Sequence, residues 1–225
     1  MDAARSDAAG AGGNGPATTR RGDTRARIQH VALELFAEQG YERTSLREVA
    51  ERLGVTKAAL YYHFKSKEDI VASFTEDYFD RVDTLIAWGK AQPPTPQAGH
   101  ELFERYIAIV IESSEVFRFL ERNQASLHGS GESHGSKHRF AQFRPRMNAL
   151  VEIIAGPGAP PRSRIRATSA LFSVSAACMF FLEDPAEATA QPTAKAGLPR
   201  LAERDELHKI VLEIADDLTG DLGDK

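Results

Sequence analysis

Two short apolar stripes joined by a glycine turn constrain this chain more than any other feature. In Ser45-Leu46-Arg47-Glu48 the serine hydroxyl is placed to accept from first-turn amides while Glu48, three residues on, reaches back to the serine amide, the pattern of a capping box. Leu46, Val49, Ala50 and Leu53 then share one helical face, and Gly54 closes a helix of about eight residues. Val55-Thr56 follows, with Thr56 as the cap of Lys57-Ala58-Ala59-Leu60-Tyr61-Tyr62-His63-Phe64, a helix of about seven residues. The turn between them is tight because Gly54 takes the positive φ that a C-terminal cap needs. A longer stripe precedes them: Ile28, Val31, Ala32, Leu35 and Phe36 recur at three-four spacing and stop at Gly40, giving a first helix of roughly 24 to 39. A long helix followed by two short ones across a glycine turn is a helix-turn-helix arrangement.

The rest of the chain continues in helical period, with nothing that reads as a strand. Ser66 caps a fourth helix expected to run to about 90, with Ile70, Val71, Phe74, Tyr78, Val82 and Leu85 as its buried stripe. Pro93-Pro94-Thr95-Pro96 breaks it. Leu102, Phe103, Tyr106, Ile107, Val110 and Ile111 form the next stripe, and Phe117, Leu120 and Leu127 are expected in a shorter helix after Ser113-Ser114. Residues 128–138 read as a mobile loop by composition. Helices of about 138–154, 163–182 and 199–219 follow, separated by the Gly-Pro connector at 156–161 and a Pro- and Ala-rich loop at 183–198. Residues 1–23 are nearly half Ala and Gly, with no Val, Ile, Leu or aromatic residue, and so bury too little surface to offset the entropy of ordering. The expected fold class is all-α: a disordered tail at 1–23, a three-helix helix-turn-helix domain at 24–70, and a larger helical domain at 71–225.

Charge divides along the same line. Residues 1–67 carry eleven Lys and Arg against eight acids, a balance of +3, whereas the whole chain stands at -4. A basic N-terminal part on an acidic body fits a nucleic-acid reader with a second function. At 225 residues and 42% apolar composition the chain is long and apolar enough for a sizeable core. The richest apolar run, Leu171 to Leu182, is too short and too interrupted by serine to span a bilayer. Cys178, the sole cysteine, lies inside that run and reads as a small buried apolar residue in a reducing compartment. With no apolar segment before Ile28 to serve as a secretory signal, a cytoplasmic location is expected, with no membrane partner.

The run Thr44-Ser45-Leu46-Arg47-Glu48-Val49-Ala50, then Leu53 to Phe64, then Lys65-Ser66-Lys67-Glu68, with Ala37-Glu38-Gln39-Gly40-Tyr41 upstream, resembles the DNA-binding domain of the TetR family of bacterial transcriptional regulators. The likeness covers roughly residues 25–72. It implies that Thr56, Lys57 and Ala58 face base edges, that Tyr61, Tyr62 and His63 lie on phosphates, and that Thr44 and Lys67 approach the DNA backbone. Ser45 belongs to the same DNA-facing set. The residues fit such a role, since a helix entering the major groove needs small or polar side chains near its N-terminus and basic or hydroxylated ones at its margins. Bland readings stand beside these: Tyr61 packing into the small core, His63 closing a helix end, Arg47 merely solvated rather than on phosphate.

The resemblance also implies a homodimer that binds a double-stranded operator and represses transcription until an unknown apolar or amphipathic effector releases it. Trp88, Phe103, Tyr106, Phe117, Phe140, Phe143, Met147, Phe172 and Met179 are the candidate effector-pocket residues, though helical aromatics most often mean plain core. Ala170, Ser173 and Ala177 on a thin helix, with Leu207, Ile210, Val211, Ile214 and Leu218 on the last one, are the candidate dimer surface, two such pairs making a four-helix bundle. The alternatives are an activator, or a helical carrier or enzyme with a vestigial helix-turn-helix. For the enzyme there is only Gly131-Glu132-Ser133-His134-Gly135, a nucleophile-elbow pattern without the required preceding strand, so no catalytic residue is expected. His128, His134 and His138 lack any cysteine or paired carboxylate to complete a site, so neither metal nor cofactor is expected.

Overall fold

A computed structural model describes residues 16–127, 134–181, 209, 210 and 213. Among the described residues up to 181, eight helices follow one another: α1 (Pro16–Gln39), α2 (Leu46–Leu53), α3 (Lys57–His63), α4 (Lys67–Ala91), α5 (Pro96–Arg122), α6 (Gln124–Leu127), α7 (His134–Ala155) and α8 (Pro161–Phe181); residues 209, 210 and 213 are helical as well. No strand occurs among the described residues.

Helix starts follow the sequence signals closely. Ser45 accepts from the Glu48 amide while Glu48 accepts from the Ser45 amide at 2.7 Å, and Ser66 and Asp69 repeat the same reciprocal cap at the head of α4. Thr56 and Thr95 cap α3 and α5, the latter with proline in its first turn. Gly54 sits at φ +70°, in the left-handed region, and its amide is donated to the carbonyls of Ala50 and Glu51.

Three boundaries depart from expectation. α1 begins at Pro16 rather than Thr24, so residues 16–23, expected in the tail, are helical. Proline at the first helical position has its φ pre-set, and the Ala-Thr-Thr-Arg-Arg run lets the helix propagate back from its buried part. α5 passes unbroken through Ser113 and Ser114, where a new helix was expected. Both serines are buried, and the Ser114 hydroxyl donates to the carbonyl of Ile111 at 2.7 Å, so the helix absorbs them by satisfying them locally. α7 begins at His134, inside the segment expected as loop; from there only Gly135 opposes extension of the 138–154 stripe. Residues 128–133, the expected loop at 183–198, and most of the expected helix at 199–219 lie outside the described residues.

Among the described residues two apolar cores form. The first joins Ile28, Ala32, Leu35 and Phe36 of α1 to Leu46, Val49 and Ala50 of α2, Leu60 of α3, Phe64, and Ile70, Val71 and Phe74 of α4. The second lies among α4, α5, α7 and α8, centred on Leu102, Phe103, Tyr106, Ile107, Leu150 and Leu171. α4 serves both, its first turns in one core and Tyr78 to Ile86 in the other. So does α5, whose Phe119 and Leu120 reach the first core. α4, α5 and α7 lie close together: a Cβ on Gly89 of α4 would stand 2.2 Å from Leu102 Cδ1 of α5 and 3.2 Å from Ile153 Cδ1 of α7, and one on Gly99 of α5 would stand 3.1 Å from the Ile154 carbonyl oxygen of α7.

Candidate nucleic-acid interface

α3 has a dry side and a wet side. Leu60 and, just beyond the helix, Phe64 are buried in the small core, while Lys57, Ala58, Ala59 and Tyr62 are exposed, Tyr62 to 61%. Seven residues at 1.5 Å each make a rod about 10 Å long, and the diameter of a helix with its side chains, about 10 to 12 Å, fits a major groove about 12 Å wide. Thr56 spends its hydroxyl accepting from the Ala59 amide at 3.2 Å. The Lys57 ammonium stands 5.4 Å from the centre of the Tyr61 ring, and Tyr62 and His63 meet edge to face with centroids 5.3 Å apart. Tyr61 is half-buried against the core, so its ring packs inward on one side.

Not all the expected DNA-facing residues are on this surface. Thr44 is 2% exposed; its hydroxyl donates to the Gly40 carbonyl at 2.9 Å and lies 3.3 Å from that of Leu35, at the end of α1. Those carbonyls are left over where α1 stops, and the threonine hydroxyl supplies a donor. Lys67 is turned inward as well: Nζ donates to the carbonyls of Tyr41 at 2.7 Å and Glu42 at 3.3 Å, and stands 4.3 Å from the centre of the Tyr41 ring. Ser45 is exposed but engaged in its cap. Arg47 is exposed and ion-paired with Glu51 at 2.7 Å. Lys65, which sequence reading left out, stands at the far end of α3 with Nζ on the Tyr61 carbonyl at 2.7 Å.

The electrostatics follow these bonds. The Ser45 hydroxyl and amide hold Glu48 below the ordinary carboxylate range. Arg52 does the same for Glu38, binding both its oxygens and tying α2 to α1. Glu68 is lowered chiefly by its own backbone amide, with help from the Tyr41 hydroxyl, which donates to it at 2.8 Å; burial and that acceptor push the Tyr41 phenol up.

Residues 28–74 match the family model described as bacterial regulatory proteins, tetR family. Over this stretch the chain is similar to the N-terminal segment of TetR-family regulators. The AcrR transcriptional regulator of Shigella flexneri is 48% identical over 54 residues, 24% of this chain and 25% of that protein. The KstR2 transcriptional repressor of Rhodococcus jostii is 32% identical over 85 residues, 36% of this chain and 42% of that protein. The matched stretch thus spans well under half the length of these curated relatives. The fold as a whole is similar to a transcriptional regulator from Aquifex aeolicus (TM-score 0.59, 19% identity, covering 87% of this chain and 99% of that one) and to PfmR from Thermus thermophilus (0.56, 19%, 86% and 97%).

Beyond this TetR-type head, the expected effector-pocket residues divide. Phe103, Tyr106 and Met147 are buried together in the body core. The Tyr106 hydroxyl is 3.2 Å from Ser175 Oγ and 3.7 Å from Met147 Sδ, and burial pushes up the phenol of Tyr78 in the same core. Phe117 is edge-on to Tyr78 at 4.8 Å, and Phe143 packs at the margin. Trp88 is half-buried under the Arg105 guanidinium, 4.1 Å from its ring centre. Phe172 is 50% exposed and belongs to the outer face of α8, not to an interior. The side chains of Phe140 and Met179 lie outside the described residues. A cleft of about 520 Å³ at the α4–α5 turn and another of about 420 Å³ between α1 and α5 are lined by none of these residues.

The expected dimer residues also part company. Ala170 is buried in the body core and Ala177 packs against it, so neither is on the free face of α8; Ser173 is exposed. A turn of 100° per residue puts Ala167, Ala170, Leu171 and Val174 inward and leaves Ile165, Ser169, Phe172, Ser173 and Ala176 outward. Ile210 is exposed, while Leu207, Val211, Ile214 and Leu218 lie outside the described residues. Also outside them are Gly131 to Ser133, His128, and the side chains of His134, His138 and Cys178. Among the described residues no three His, Cys, Asp or Glu side chains gather at a metal-holding distance, and no helix is long and apolar enough to cross a membrane.

Proposed function

We propose that the chain is a sequence-specific DNA-binding transcriptional regulator of the bacterial cytoplasm, acting as a homodimeric repressor that a small effector releases. The observation that carries this is α3: a short helix anchored by Leu60 and Phe64, with Lys57, Ala58 and Tyr62 turned to solvent. Lys57 and Ala58 at its leading end are the base-edge candidates, with Thr56 shaping the cap. Tyr61, Tyr62, His63 and Arg47 are the phosphate candidates. Thr44, Ser45 and Lys67 support the site by fixing the loop and helix starts around it. Repression is favoured by relatives named as repressors or negative regulators, KstR2 and the IcaR regulator of the icaADBC biofilm operon in Staphylococcus aureus.

The outward face of α8, with Ile165 and Phe172 exposed, supports the dimer. The effector belongs in the body core, where the hydroxyls of Tyr78, Tyr106 and Ser175 stand among apolar side chains of the described residues; a largely apolar molecule with a hydrogen-bonding group suits it. Binding there acts by population shift: an effector that prefers one arrangement of α4 and α5 changes the spacing of two heads that must reach major-groove sites about 34 to 36 Å apart.

The test is a footprint on DNA flanking the protein's own gene, at about 150 mM salt with excess competitor so that phosphate binding alone is suppressed. Protection of a short palindrome, lost on Lys57→Ala with Tyr62→Ala, is expected. Undiminished protection by the double variant refutes the assignment of α3 as the reading helix.

A further inference from the structure

Arg118 of α5 is 8% exposed, the one buried residue of formal charge among the described residues. It lines the cleft of about 420 Å³ between α1 of the head and α5. Burying a guanidinium is costly unless its donors are met. Arg118 is engaged within the chain, and a guanidinium carries five N–H donors in a rigid planar fork, so one edge can serve the chain while another serves the cavity. Arg122, one turn on and exposed, lines the same cleft.

The rest of the lining sorts into an apolar part and an exposed charged part. Leu33, Ala37 and the stacked rings of Phe36 and Phe119, with centroids 5.1 Å apart, supply the first. Glu34, Glu38 and Glu115, all exposed, supply the second. Arg52 binds both oxygens of Glu38, at 2.9 and 3.3 Å, and Glu34 Oε1 stands 3.3 Å from His30 Nε2. Exposed charges are screened by water and salt, whereas a buried one is screened much less. Arg118 therefore sets the charge preference of the interior, and its fork matches the two oxygens of a carboxylate. The volume is within the range of small-molecule sites, about 300 to 1,000 Å³.

We propose that this cleft is a small-molecule site separate from the body core, taking a planar aromatic carboxylic acid. The carboxylate pairs with Arg118, and the ring lies against Leu33, Phe36 and Phe119. Arg122 adds a second positive charge for the acid, and Glu34 and Glu115 accept from any hydroxyl or amine that the ring carries. None of these groups belongs to the exposed face of α3, so the site stands or falls without the regulator reading.

The experiment is equilibrium dialysis of the full-length chain against benzoate, phenylacetate and 2-naphthoate, with the matching neutral amides as controls. At least one acid is expected to bind, one per chain, with a dissociation constant below about 1 mM and about tenfold tighter than its amide, the size of one hydrogen bond to a charged group. Ala37→Trp fills the cleft from an exposed position, and both it and Arg118→Gln are expected to weaken that acid by about tenfold or more. Failure of all three acids to bind by about 10 mM overturns the site, and so does an amide that binds as well as its acid. Undiminished binding by Ala37→Trp places the acid elsewhere, the body core included, and also overturns it. If Arg118→Gln does not fold, Ala37→Trp and the comparison of acid with amide decide.

Discussion

Replacing Thr44 by valine separates a structural role from a DNA contact at the position where the two are most easily confused. The hydroxyl is buried and donates to the Gly40 carbonyl at 2.9 Å, with the Leu35 carbonyl at 3.3 Å behind it. Valine keeps the shape and removes the donor. The lost hydrogen bond costs about 1 kcal/mol, and the Gly40 carbonyl, only half exposed to water, adds a fraction of the penalty of an unsatisfied acceptor, so a net loss of about 1 to 1.5 kcal/mol is expected. For a chain of this size that lowers the melting temperature by about 2 to 6 °C. Were Thr44 instead a phosphate contact, stability would hold and the dependence of DNA affinity on salt would change, because each phosphate contact contributes about one unit to that slope. Thermal unfolding and a salt titration of operator binding on the same preparation read both. An unchanged melting temperature together with a shallower salt slope refutes the assignment of Thr44 to the end of α1.

Gly54→Ala tests the turn: nothing stands within 4 Å of the added Cβ, so the left-handed backbone alone sets the cost, about 1 to 2 kcal/mol in urea unfolding of the full chain, and a neutral result would mean the turn does not need positive φ. Acid should loosen the cap of α2. Glu48 is held below the ordinary carboxylate range in the folded protein, so its contribution is complete at neutral pH and is lost as pH falls through that lowered value; Glu48→Gln should remove this part of the pH profile of unfolding, and an identical profile in the variant would count against the cap as its source.

Much of the head is legible in the sequence because its signals are short-range. Ser45 and Glu48, Ser66 and Asp69, and Gly54 each declare a boundary through a partner within four residues, and backbone geometry leaves them few other uses. The body is less so. The small residues of α8 do not say which of its sides faces α5 and α7, and the fold divides them, taking Ala170 inward and leaving Ser173 out. Phe119 carries no mark in its neighbourhood that it joins Phe36 rather than the stripe it extends. Thr44 and Lys67 show the same limit at the site itself. A threonine before a helix and a lysine at the start of another suit a phosphate oxygen and a backbone carbonyl equally well, since both are acceptors. The carbonyls of Gly40, Tyr41 and Glu42 are present in every folded molecule, bound to DNA or not, and the side chains that reach them are committed to the fold. The exposed face of Lys57, Ala58 and Tyr62 on α3, rather than the whole basic and hydroxylated set, therefore carries the proposed reading of DNA.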